Sequence, residues 1–153
     1  MQKIFHFDSP SEAYVADAAV LCCFDQRIRL AVNKFLQRRG ILRPDMIVVA
    51  GGAKTLASPR NDFERDFILE QVRMSILLHA TKRVLLMSHS DCATYGGLKA
   101  FENNAAREAA HHKEELRRAS DLIHSNFSGL EAEPLFVTFE GVFATIDAPE
   151  NVA

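Results

Sequence analysis

The stretch Ala18-Ala19-Val20-Leu21-Cys22-Cys23-Phe24-Asp25-Gln26-Arg27 decides the fold. Its first five residues, AAVLC, carry no charged side chain and are short, which predicts a buried strand. From Arg27 to Arg39 the pattern turns helical: Ile28, Leu30, Ala31, Val32, Phe35 and Leu36 sit among Arg and Lys, and Gly40 supplies a C-terminal stop. A second apolar strand is expected over Met46 to Ala50, ending on Gly51-Gly52. An amphipathic helix is expected from about Asp62 to Ala80, with Phe63, Phe67, Ile68, Val72, Ile76 and Leu77 on its apolar side. A third apolar strand follows, Val84 to Ser88, and then the polar loop SHSDCATYGG. The Ala/Glu/Arg/His-rich stretch from Leu98 to about Asn126 reads as one long helix. Two alternating runs, Leu135 to Phe139 and Val142 to Ile146, finish the chain.

Strands that are apolar throughout, alternating with helices, predict an α/β fold whose central, mostly parallel sheet is covered on both faces. No repeat, low-complexity tract or linker divides the sequence, so residues 1–153 read as a single domain. Open sheets of this kind bind ligands beyond the carboxyl ends of their strands. The segments Cys23 to Arg27, Gly51-Gly52 and His89 to Gly97 all fall there.

Composition narrows the function classes. The 20 acidic residues against 18 Lys plus Arg leave a net charge of −2, with no basic face or tail for nucleic acid or an anionic membrane. Runs such as Val84-Leu85-Leu86-Met87 fall far short of the roughly 20 residues needed to span a bilayer. The start, MQKIFHFDSP, lacks the apolar core of a secretory signal, so a cytoplasmic location is expected. Three cysteines there do not make a disulfide framework and point to core residues, metal ligands or nucleophiles.

Two of the three have informative neighbours. Cys23 stands two residues before Asp25 and four before Arg27, while His89-Ser90-Asp91-Cys92 follows the third strand. Two thiolates and an imidazole suit Zn²⁺ in tetrahedral geometry, and three protein ligands leave a fourth position open, the pattern of catalytic sites. Asp25 and Arg27 alternate with Cys23, so an extended segment points all three the same way. Arg27 would hold Asp25 ionised and oriented beside a water whose acidity the metal raises.

This motif pair, C-x-D-x-R after the first strand and H-x-x-C after a later one, resembles the β-class carbonic anhydrases. The resemblance runs from about Ala18 to Ile146 and includes Val48-Val49-Ala50-Gly51-Gly52, similar to the family's Gly-containing strand end. It implies zinc on Cys23, His89 and Cys92, with Asp25 and Arg27 as the catalytic dyad. The implied reaction is reversible hydration of CO₂ to bicarbonate by zinc-bound hydroxide. Two other readings of the site are a related small substrate, carbonyl sulfide or carbon disulfide, and a non-catalytic zinc protein in which Asp25 takes the fourth position or the pocket is too open or blocked for CO₂. The sequence differs from familiar members in the short segment before the first strand, in Val48-Val49, where they carry Arg-Asn, and in Ala93, where they carry Gly after the second Cys.

The remaining candidates read as structural. Cys22 faces the core, since neighbouring strand residues face opposite sides. His6, His79, His111, His112 and His124 read as surface or helix-face residues without a partner at metal spacing. Arg117-Arg118 and Arg38-Arg39 read as solvated helix faces, and Gly51-Gly52-Ala53-Lys54-Thr55 fails the phosphate-loop pattern. Asp91 is either a hydrogen-bonding support for the site or a solvated loop residue, the second being preferred. Exposed sheet edges and the apolar segment Ile4-Phe5-His6-Phe7, which has no core position of its own, predict a homodimer or larger even oligomer.

Overall fold

A computed structural model describes residues 1–145. Ile146, the end of the last expected run, lies outside the described residues. The strands are β1 (Ala18–Cys23), β2 (Pro44–Val49), β3 (Arg83–His89), β4 (Glu131–Val137) and β5 (Val142–Ala144). The helices are α1 (Gln26–Arg38), α2 (Lys54–Ala57), α3 (Asp62–His79) and α4 (Ala105–Asn126). The five strands form one sheet in the order β2-β1-β3-β4-β5, parallel except for the last, antiparallel pair.

Alternation along β1 divides the core in two. Ala19 and Leu21 face one side with Val84, Leu86, Ile68 and Val72 and the α4 residues Leu116, Ala119 and Ile123. Ala18, Val20 and Cys22 face the other, where α1 buries Ile28, Val32 and Leu36 at four-residue spacing against Leu85, Met87 and Val137. Burying a Leu or Ile side chain contributes about 1.5–3 kcal/mol, so these two layers fix which strand face each helix takes.

Local chemistry sets the helix ends. Asp25 caps α1 by accepting from the Arg27 amide. At the other end Gly40, at φ 69°, donates to the Gln37 carbonyl while Ile41 donates to that of Leu36. This paired bonding across a left-handed glycine is what ends α1. Asn61 caps α3 through the Glu64 amide, and Asp62 and Glu64 in the first turn favour the helix dipole.

Three expectations need correction. The stretch from Leu98 is not one helix: a short 3₁₀ turn over Leu98–Phe101 ends where Glu102 and Asn103 adopt φ 57° and 56°. Asn104 then restarts the chain as α4 by capping the Ala106 and Arg107 amides. The sheet is also not covered throughout, because β2 is an edge strand on which Met46 and Val48 remain 41% and 40% exposed. On α3 the buried stripe is Ile68, Leu69, Val72 and Ser75, while Phe63, Phe67 and Leu77 stay exposed. Phe63 and Phe67 stack on each other, ring centroids 6.3 Å apart, and remain largely open to solvent.

Candidate metal centre and its carboxylate

The chain leaves β1 toward β2 on one side and returns to β3 on the other, so the C-terminal tips of β1 and β3 flank the point where strand order reverses. Crevices form there because the two connections diverge. Cys23 ends β1 and His89 ends β3, and a turn after β3 brings Cys92 back to them. The Cys92 carbonyl accepts from the Tyr95 and Gly97 amides, which closes that turn.

Cys23, His89 and Cys92 are all buried, and their donor atoms lie within 4.8 Å of one another. His89 uses Nδ1 to donate to the Ser90 carbonyl at 2.8 Å. That bond fixes the tautomer and leaves the Nε2 lone pair free. Nε2 is buried and has no hydrogen-bond partner among the described residues. A buried orphan nitrogen costs about 1–3 kcal/mol, an outlay that a bound cation removes.

The sulfurs are also prepared. The Gly51 amide donates to Cys23 Sγ at 3.3 Å, and Thr94 Oγ1 lies 3.1 Å from Cys92 Sγ. Gly51 reaches its place because Gly52, at φ 56°, lets the backbone press on its neighbours. A Cβ on Gly52 would stand 2.5 Å from the Met87 carbonyl oxygen and 2.8 Å from the Cys23 nitrogen. Hydrogen bonding from the Cys23 thiol, followed by that from Thr94, pulls the Cys92 thiol down to about 6, so the pair favours a thiolate there. Cys22 lies in the core layer beside α1, as its strand position requires.

Asp25 and Arg27 complete the site's rim. Arg27 Nε donates to both Asp25 oxygens at 3.1 and 3.2 Å, and Nη2 donates to Oδ2 at 2.7 Å. The Arg27 guanidinium holds the Asp25 carboxyl down at about 2, against the opposing pull of partial burial. Asp25 Oδ2 lies 3.9 Å from His89 Nε2, beside the three donors without joining them. A cavity of about 450 Å³ opens over this arrangement, lined by Cys23, Phe24, Asp25, Gln26, Cys92, Ala93 and Thr94.

The structure corrects two readings of site neighbours. Asp91 is not a freely solvated loop residue: its carboxylate accepts from Arg27 and from the Leu98 amide. His112 is fully buried, between the rings of Tyr95 and Phe136. Sequence reasoning also passed over Glu108, a buried carboxylate on the Asp91 amide, and Glu115, which receives the Tyr95 and Ser58 hydroxyls. Stepping back from Leu116 by four and eight residues reaches His112 and Glu108, so the helical stripe was present but hidden by polar side chains. Arg39 is likewise engaged, donating to Glu133 at 2.8 Å.

An α/β sheet with a Cys-His-Cys donor cluster and a clamped carboxylate at its switch point defines a class of metal-site proteins. The family model described as "Putative carbonic anhydrase" matches residues 15–147, and the chain belongs to that family. Among solved structures, the β-carbonic anhydrase isoform I of Trichomonas vaginalis is similar with a TM-score of 0.62 at 14% identity, covering 92% of this chain and 88% of that one. A carbon disulfide hydrolase in its apo form gives a TM-score of 0.58 at 13% identity, covering 90% and 83%. An uncharacterized protein of Rickettsia conorii is 23% identical over 134 residues, 86% of this chain and 72% of that protein. The β-carbonic-anhydrase fold expected from the two motifs is therefore the fold observed.

Proposed function

We propose that the chain is a single-domain zinc carbonic anhydrase that hydrates CO₂ reversibly to bicarbonate, with Cys23, His89 and Cys92 as the zinc ligands. Two sulfurs and a free imidazole nitrogen suit zinc, which prefers such ligands. When bound, zinc supplies acidity, lowering the pKa of a water at an open position from 15.7 to about 7.

The observation that carries the reading is the Asp25–Arg27 clamp. It holds the carboxylate beside the three donors, on the wall of the cavity that opens over them. Asp25 is ionised throughout the working pH range and can only accept hydrogen bonds. It therefore orients the attacking oxygen's proton and is too weak a base to remove it near neutrality. Phe24 and Ala93 offer CO₂ an apolar wall beside the donors. The clamp argues against Asp25 as a permanent fourth ligand. The likeness to a carbon disulfide hydrolase makes carbonyl sulfide and carbon disulfide the substrates to run beside CO₂.

The reading extends to a cytoplasmic homodimer or larger even oligomer, acting on a dissolved small molecule without nucleic-acid or membrane partners. The exposed side chains Ile4, Phe5, Phe7, Phe63, Phe67, Met46 and Val48 support assembly, since a second copy would cover them. Metal analysis with stopped-flow CO₂ hydration tests the activity. One zinc per chain and hydration that falls on Arg27→Ala with zinc retained are expected; full zinc without hydration would establish a non-catalytic zinc protein.

A further inference from the structure

Arg27 does more than grip Asp25. Its Nη1 donates to Asp91 Oδ2 at 2.8 Å, and Nη2 donates to the Asp91 carbonyl at 3.0 Å. One residue thus takes hold of the guanidinium with both its side chain and its backbone. That double grip requires an unusual backbone, and Asp91 has φ 53°, a left-handed conformation that Asp tolerates better than most residues.

The conformation is fastened from two further directions. The Leu98 amide donates to Asp91 Oδ1 at 2.9 Å, and the Asp91 amide donates to Glu108 Oε1 at 2.7 Å, with Glu108 buried on α4. Gly97, at φ 68°, leaves room for this: a Cβ there would stand 2.8 Å from Asp91 Oδ1. The Phe139 ring lies 5.3 Å from the Arg27 guanidinium carbon and flanks it. Arg27 and Asp91 are each close to half exposed, so their attraction adds little to stability. Its value is directional.

We infer that Asp91 is a positioning residue, a strut from α4 and the Gly97 turn that fixes Arg27 and through it keeps the Asp25 carboxylate off the metal. The inference rests on the zinc-site reading only for its consequence at the metal; the strut itself is a property of the chain. Without the Asp91 carboxylate, Arg27 keeps its bonds to Asp25 and to the residue-91 carbonyl but loses its charged anchor. The pair can then move together, and Asp25 can reach the fourth position.

Asp91→Asn is the test, because Asn fits the left-handed conformation and still accepts from the Leu98 amide while losing the charge. Asp91→Gly is the second variant, since glycine needs no support there. In metal-free full-length protein, solvent exchange of the Arg27 side-chain Nε–H, assigned by its loss in Arg27→Ala, is expected to speed up about tenfold in both variants. In the cobalt-substituted protein both should move toward the carboxylate-coordinated spectrum of Arg27→Ala, with no further change when the substitutions are combined. Undiminished cobalt uptake with a lower kcat and an unchanged KM completes the expected pattern. Arg27 exchange equal to that of the unsubstituted chain would overturn the inference. Failure of every form to take up cobalt would instead overturn the zinc reading, with the exchange measurement still deciding the strut.

Discussion

His112 offers a quantitative test of the packing beneath the site. Its ring centroid lies 4.6 Å from that of Tyr95 and 4.9 Å from that of Phe136, and neither ring nitrogen has a hydrogen-bond partner among the described residues. Burial, aided by the nearby His111 and His89, pushes its imidazole down from 6.5 to about 3. Between those values the unfolded chain takes up a proton that the folded chain refuses. The contribution of the neutral ring is therefore full above the unfolded value and is lost as pH falls toward the folded one. At about pH 5 the gap below the unfolded value is some 1.5 units, and at about 1.4 kcal/mol per unit the loss is about 2 kcal/mol.

His112→Phe removes the titration and keeps the ring stack. Phenylalanine is slightly larger, so the absolute stability near neutral pH can move either way and the pH dependence is the informative quantity. Urea unfolding of metal-free protein, followed by circular dichroism at about pH 7 and about pH 5, measures it. The unsubstituted chain should lose about 2 kcal/mol more than the variant between the two conditions, because every other group titrates alike in both. Equal losses would show that His112 is not held neutral by its surroundings.

Three further outcomes are expected. Cys92→Ser should lower zinc affinity by more than about a hundredfold, since a hydroxyl is a poorer ligand than a thiolate; undiminished zinc after purification refutes the ligand assignment. Gly52→Ala should cost about 3 kcal/mol or more, because the new Cβ meets the Met87 carbonyl and the Cys23 amide; a loss under about 1 kcal/mol in denaturant melts would show that the strand tips give way easily. Removal of residues 1 to 10 should weaken the oligomer seen by light scattering, since Ile4, Phe5 and Phe7 are exposed in the single chain; a well-folded, zinc-bound monomer of the full chain would refute the assembly.

The uninterrupted apolar run of β1, the helical spacing of Ile28, Val32 and Leu36, and Gly40 after α1 are local signals, and they marked the strand, the helix and its stop without help from distant residues. The motif spacing anticipated two parts of the candidate cluster: Cys23, Asp25 and Arg27 are neighbours in the chain, and His89 and Cys92 share one turn, while the β1–β3 pairing brings the two parts together. What the sequence left open depends on residues far apart in the chain. Asp91 looked solvated because its partner Arg27 lies 64 residues away, and only the β1–β3 pairing brings them together. His112 read as a surface or helix-face residue and Glu108 was passed over, and docking of α4 on the sheet buried both. Edge exposure on β2 likewise follows from strand order, which a list of strands does not contain. Burial and long-range hydrogen bonding are properties of the assembled chain, and they decided that the Asp91 carboxylate meets Arg27 and that the His112 ring lies buried between aromatic neighbours.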